Sequence, residues 1–185
     1  MRRRAYPAGS ASFEGGSYGT LRGNGNVDGA AGRFDYSTGV AVLNTDNREP
    51  NSAFTDTTIS GSGGAAISDT ATLRVVARAQ LQRNGTPGQT AFGRPDLDAF
   101  FERHDGVGGV TFDQQATPAF RQRASYSVAT SHQQSTNLIA DPPYTPRFEG
   151  RTAPFAFSDF TFDTFNLTVL VIDLVVVGEQ QLRLG

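Results

Sequence analysis

Residues 33–43, RFDYSTGVAVL, and residues 71–83, ATLRVVARAQLQR, decide the fold, because each alternates apolar and polar side chains with a period of two. In the first, Phe34, Tyr36, Val40 and Val42 share a face, opposite Arg33, Asp35, Ser37, Gly39 and Ala41. In the second, Ala71, Leu73, Val75, Ala77, Ala79 and Leu81 oppose Thr72, Arg74, Arg78, Gln80 and Gln82. A strand turns successive side chains to opposite sides, so this pattern predicts half-buried strands, one side against something apolar and the other wet.

Working outward, the same alternation returns at Phe120, Gln122, Ala124, Tyr126 and Val128, set against Arg121, Arg123, Ser125 and Ser127. Ser10–Phe13, Tyr18–Asp28 and Thr55–Ile67 read as further strands, the second diluted by Gly19, Gly23 and Gly25. Asp98–Arg103 admits a short helix capped by Asp96, but we take it as the start of a strand that runs through His104, Val110 and Phe112. Breakers separate these runs unevenly. Gly29–Gly32, Ser68–Asp69 and the neighbourhood of Pro118 give tight turns, whereas 44–53, 84–95 and 131–159 give long polar connections. Short turns at one end and long loops at the other are the habit of outer-membrane β-barrels.

The expected fold is therefore all-β, with about seven or eight antiparallel up-and-down strands forming part of a transmembrane outer-membrane barrel. Phe34, Tyr36, Val40, Val42, Leu73, Val75, Leu81, Tyr126 and Val128 are expected to face lipid. Arg74, Arg78, Arg121 and Arg123 are expected to face the lumen, since an arginine at the lipid midplane costs about 2–4 kcal/mol. Leu167–Val177 is apolar apart from Thr168 and Asp173 and shows no polar face, so 167–185 stands as an atypical apolar tail. Residues 1–9 stand as a disordered or truncated start, and 10–166 as the barrel segment.

Composition removes several functions. A net charge of −2 argues against a nucleic-acid surface, and the absence of cysteine excludes disulfides and thiolate sites. The charged start, Met1–Arg4, is not followed by the apolar segment of a signal peptide. No hydrolase elbow of the Gly-x-Ser-x-Gly type occurs, Gly23, Gly25 and Gly29 miss the dinucleotide spacing, and no enzyme activity or cofactor is expected. Asp96, Asp98 and Asp105 lack the spacing of a calcium loop and are expected on a polar rim. His104 and His132, the two histidines, have no neighbours at ligand spacing, so no metal is expected. One stretch has binding potential: Tyr144, Arg147, Phe148 and Arg151 put aromatic and guanidinium groups on an external loop suited to a planar anionic ligand. Its competitor is an aromatic girdle made by Phe155, Phe157, Phe160 and Phe162 at the lipid interface.

The Gly-Ser-Tyr-Gly-Thr step at Gly16–Thr20 and the Gly-x-Phe-x-Tyr strand at Gly32–Tyr36 resemble the opening of the barrel in TonB-dependent outer-membrane receptors. Phe92–Gly109, FGRPDLDAFFERHDGVGG, and Phe157–Asn166, FSDFTFDTFN, are similar to strands and loops of the cobalamin-receptor-like branch, and the likeness spans about 10–166. The resemblance implies a Gram-negative outer-membrane location, a barrel of about 22 strands of which this is the first third, and import of a scarce chelate such as a siderophore or cobalamin. It also implies partners: outer-membrane lipid, a plug domain against which the lumen arginines would lie, and an energy-transducing TonB system. Alone, such a segment is not expected to transport. Two alternatives remain at this stage, a small eight-stranded structural or adhesive barrel and a soluble secreted β domain that binds glycans.

Overall fold

The computed structural model describes residues 6–118, 120–137 and 159–176. Its strands are β1 (Ala8–Gly15), β2 (Leu21–Ala31), β3 (Phe34–Thr45), β4 (Phe54–Ala66), β5 (Ala71–Gly85), the two-residue β6 (Gly88–Gln89) and β7 (Arg94–Pro95), β8 (Phe100–Thr117), β9 (Phe120–Thr136) and β10 (Asp159–Val176). Eight of them make one sheet in the order β1-β2-β3-β4-β5-β8-β9-β10, and β6 pairs β7 in a separate small hairpin. Every neighbouring pair is antiparallel, so the chain runs up and down without a crossover. The sheet is open, with β1 and β10 at its margins. The all-β, up-and-down architecture read from alternation is thus the architecture found.

Local chemistry sets the connections. Between β2 and β3 only Gly32 and Arg33 turn the chain, and Gly32 takes φ +61 while Arg33 stays out of the left-handed region. That is the demand of a two-residue turn with glycine first, and it narrows the turn expected at Gly29–Gly32, because Gly29 still pairs with Tyr36. β4 reaches β5 through 67–70, and β8 reaches β9 at Pro118. At the opposite end β3 joins β4 through 46–53 and β5 joins β8 through 86–99, the latter folding on itself as β6, a 3-10 turn at Thr90–Phe92 and β7.

Three boundaries move for physical reasons. β8 begins at Phe100 rather than Asp98, because the Asp96 carboxylate accepts the backbone N–H of Asp98 at 3.1 Å and of Ala99 at 2.8 Å and holds the chain in a turn. Asp96 is itself buried, not on a rim. β9 continues to Thr136, five residues past the expected start of a loop at Ser131, since its polar end is zipped to Phe100–Asp105. β10 runs without interruption through Asn166 and Leu167, where a domain boundary was expected. Its register with β9 shifts between Val169 and Val171, leaving Leu170 as the extra residue of a bulge.

There is no second layer among the described residues. Among the described residues the buried hydrophobic ones are Ala71 and Ala99, and no large side chain is fully buried. The accessible surface is 13208 Å², against roughly 8,600 Å² for a compact soluble chain of this mass.

Candidate functional site: the two faces of the sheet

Register fixes which residues look the same way, because directly paired residues project to one side. One row runs Gly29, Tyr36, Gly63, Val75, Val110, Tyr126, and the next runs Val27, Thr38, Gly61, Ala77, Gly108, Val128. Leu73 lies opposite Phe112, Val40 opposite Ile59 and Val42 opposite Thr57, with Leu81 across from that same threonine. All nine residues expected to face lipid therefore share one face. Phe34, Ile59, Val75 and Leu81 are 45–67% exposed there. Two aromatic rings fill glycine gaps: Tyr36 lies over Gly29 and Phe13 over Gly23.

The band has a margin. On β5 the apolar series Ala71–Leu81 ends at Arg83, which pairs with Glu102 at 3.3 Å and lies 4.2 Å from the centre of the Phe100 ring. In the row just inside, Leu81, His104 and His132 are successive partners, with the histidine rings 6.0 Å apart. The two histidines, which show no ligand spacing along the sequence, are thus cross-strand neighbours.

The other face is polar and paired by charge. Asp113 accepts from Arg121 through Nε at 2.9 Å and Nη2 at 2.6 Å, and from Arg123 through Nε at 2.9 Å and Nη2 at 2.8 Å. The Arg121 contact is a two-pronged fork on both carboxylate oxygens. Arg74 meets Asp35 at 3.0 Å across β4, and only the missing side chain of Gly64 leaves room, since any Cβ there would sit within the pair. Towards the loops, Gln80 donates to Asp56 at 2.6 Å, and Asp105 takes Arg103 at 2.8 Å and Ser131 at 2.6 Å. Arg74, Arg78, Arg121 and Arg123 share this face, as expected of lumen-facing residues. Near the tight turns Thr72, Arg74, Thr111, Asp113, Arg121 and Arg123 line a shallow depression of about 520 Å³.

The loop end is tied together. Asn51 donates to the Ala99 carbonyl at 2.7 Å and the Thr86 carbonyl at 3.4 Å, while Gly85 N–H reaches Ala53 at 2.9 Å. Asp46 N–H reaches Tyr18 at 2.9 Å. Tyr144, Arg147, Phe148 and Arg151 lie outside the described residues, as do Phe155 and Phe157. Phe160 and Phe162 lie on β10 as the register partners of Ser135 and Gln133.

No protein-family model, curated protein or solved structure matches the chain. What it does is therefore argued from the faces themselves. Sequence reasoning missed the Asp113 hub and the histidine pair, although one signal was present. Positions 104 and 132 lie equally far from Pro118, as do 113 and 123, so a hairpin folded at that proline brings both sets together.

Proposed function

We propose that the chain is a wall segment of a Gram-negative outer-membrane β-barrel, its apolar face turned to lipid and its charge-paired face to a water-filled interior. The observation that carries this reading is an apolar face exposed across a single-layered sheet, with a paired polar face behind it. In water an apolar face left uncovered along several strands would be an aggregation liability. Dimensions agree. Ten residue steps from Ala71 to Leu81, at about 3.3 Å each and a tilt near 40°, span about 25 Å, the height of the apolar band on such barrels. The segregation of tight turns from long loops is of the same kind.

The resemblance of Gly16–Thr20 and Gly32–Tyr36 to TonB-dependent receptors makes import of a siderophore or cobalamin the specific activity we favour for the complete barrel. Eight strands supply about a third of a wall of about 22, with a plug domain and the TonB system as partners. A self-closed barrel of eight strands is a second reading, favoured by the strand count. It fits less well, because β1 has 8 residues and β10 has 18, so closing one on the other leaves ten residues of β10 unpaired.

The chain has no tryptophan, which allows a direct test. Val75→Trp and Tyr126→Trp place a fluorophore on the apolar face, and Ser62→Trp and Ser127→Trp on the polar face. In vesicles containing bromine-labelled acyl chains, the first pair is expected to be quenched and the second spared. Equal quenching of all four, or a chain that stays in the aqueous phase, refutes the reading.

A further inference from the structure

We infer that His104 and His132 form a two-histidine site for a divalent transition ion, Zn²⁺ or Cu²⁺, at the loop-end margin of the apolar face. The inference holds whatever that face touches, so it does not rest on the membrane reading. The chain's two histidines are direct cross-strand partners on adjacent strands, with ring centres 6.0 Å apart and planes tilted by 34° rather than stacked. A zinc–imidazole bond of about 2.1 Å places the metal roughly 3.2 Å from the ring centre, so two imidazoles at a tetrahedral angle have centres roughly 5.3 Å apart. The observed spacing differs from this by an amount that a side-chain torsion absorbs.

The surroundings suit a cation with nitrogen ligands. Among the described residues no group of three or more His, Cys, Asp or Glu is gathered around one point, so the two imidazoles are the protein ligands and water completes the coordination. The charge of the nearest arginine on this face, Arg83, is met by Glu102 at 3.3 Å, so no uncompensated cation opposes the ion. His104 is exposed and His132 half-buried, which leaves an entry path. Imidazole donors select zinc, copper and nickel over calcium and magnesium, which prefer oxygen.

The test uses the full chain, folded in detergent micelles, with Zn²⁺ in a calorimetric titration and Cu²⁺ in electron paramagnetic resonance. One ion per chain is expected, with hyperfine coupling to two nitrogens. His104→Gln or His132→Gln should weaken zinc binding more than tenfold and leave coupling to one nitrogen. The amide I infrared band, unchanged in each variant, shows that the sheet survives. Absence of binding at millimolar zinc, or binding and coupling unaltered in both histidine variants, overturns the site.

Discussion

Replacing Val75 by arginine separates a lipid-facing sheet from one that docks on protein. Val75 pairs with Gly63 and Val110 and stands near the middle of the Ala71–Leu81 series, which in the proposed barrel puts it close to the hydrocarbon midplane. An arginine there costs about 2–4 kcal/mol, falling to about 0–1 kcal/mol near the interfaces. Val75→Arg is thus expected to lower the folded-to-unfolded ratio by about 30- to 700-fold. Leu81→Arg, one row inside the natural Arg83, should cost less than about fivefold. Val76→Arg is the control for facing, since Val76 lies between Ser62 and Gly109 in the polar-face series and is already 46% exposed. The assay is reversible urea unfolding from lipid vesicles, followed by the gel shift of the folded form. A depth-dependent penalty on the apolar face, and little penalty at Val76, is the expected result. If Val75→Arg and Leu81→Arg cost the same, or Val76→Arg costs as much as Val75→Arg, the facing assignment fails.

Four further outcomes follow from the geometry. Arg78→Ser should insert into vesicles as the parent does, because Arg78 lies on the polar face and donates a long hydrogen bond to Gln80 at 3.4 Å; loss of insertion would count against that face being wet. Gly64→Ala should destabilise by about 1–3 kcal/mol by wedging a methyl group into the Arg74–Asp35 pair, whereas an added methyl elsewhere in a strand tends to stabilise; a raised urea midpoint would contradict this. Asp113→Asn should leave Arg121 and Arg123 without their shared counter-charge, and the stability difference from the parent should shrink as salt rises from about 0.01 to 1 M; a difference that ignores salt would show that charge pairing is not its origin. Asn51→Gly should speed amide exchange at Thr86 and Gly85 by removing the bonds to Thr86 and Ala99, and Asn51→Ala should add about 1 kcal/mol more because Asn51 sits at φ +52. Equal effects of the two variants would remove the backbone part of that account.

Legibility in the sequence followed the strength of alternation. Where one face is apolar for ten residues, as on β5, period two fixed both the strand and its facing, and Arg74 and Arg78 fell where the pattern put them. At Ser131–Thr136 both faces are polar, so periodicity carries no signal, and only pairing with β8 shows a strand. In Leu167–Val176 the alternation is hidden for another reason. Thr168 and Asp173 are five apart, opposite in parity on a regular strand, but the bulge at Leu170 restores both positions to the polar series, opposite Ser127 and Arg123. Asp96 lay beyond pattern altogether, since its capping bonds depend on where the chain bends, not on a repeat. The histidine pair was within reach, because the turn at Pro118 already implied its register.

Each long strand bonds to the long strands before and after it in sequence, and this has a kinetic consequence. Bringing partners together requires closing short spans of chain, for which the entropic cost is small and grows only logarithmically with length. Low contact order of this kind favours rapid zippering, hairpin upon hairpin, starting at the two-residue Gly32–Arg33 reversal. Such a ribbon can also lengthen over evolutionary time by duplicating one hairpin, with no need to rethread what is already paired.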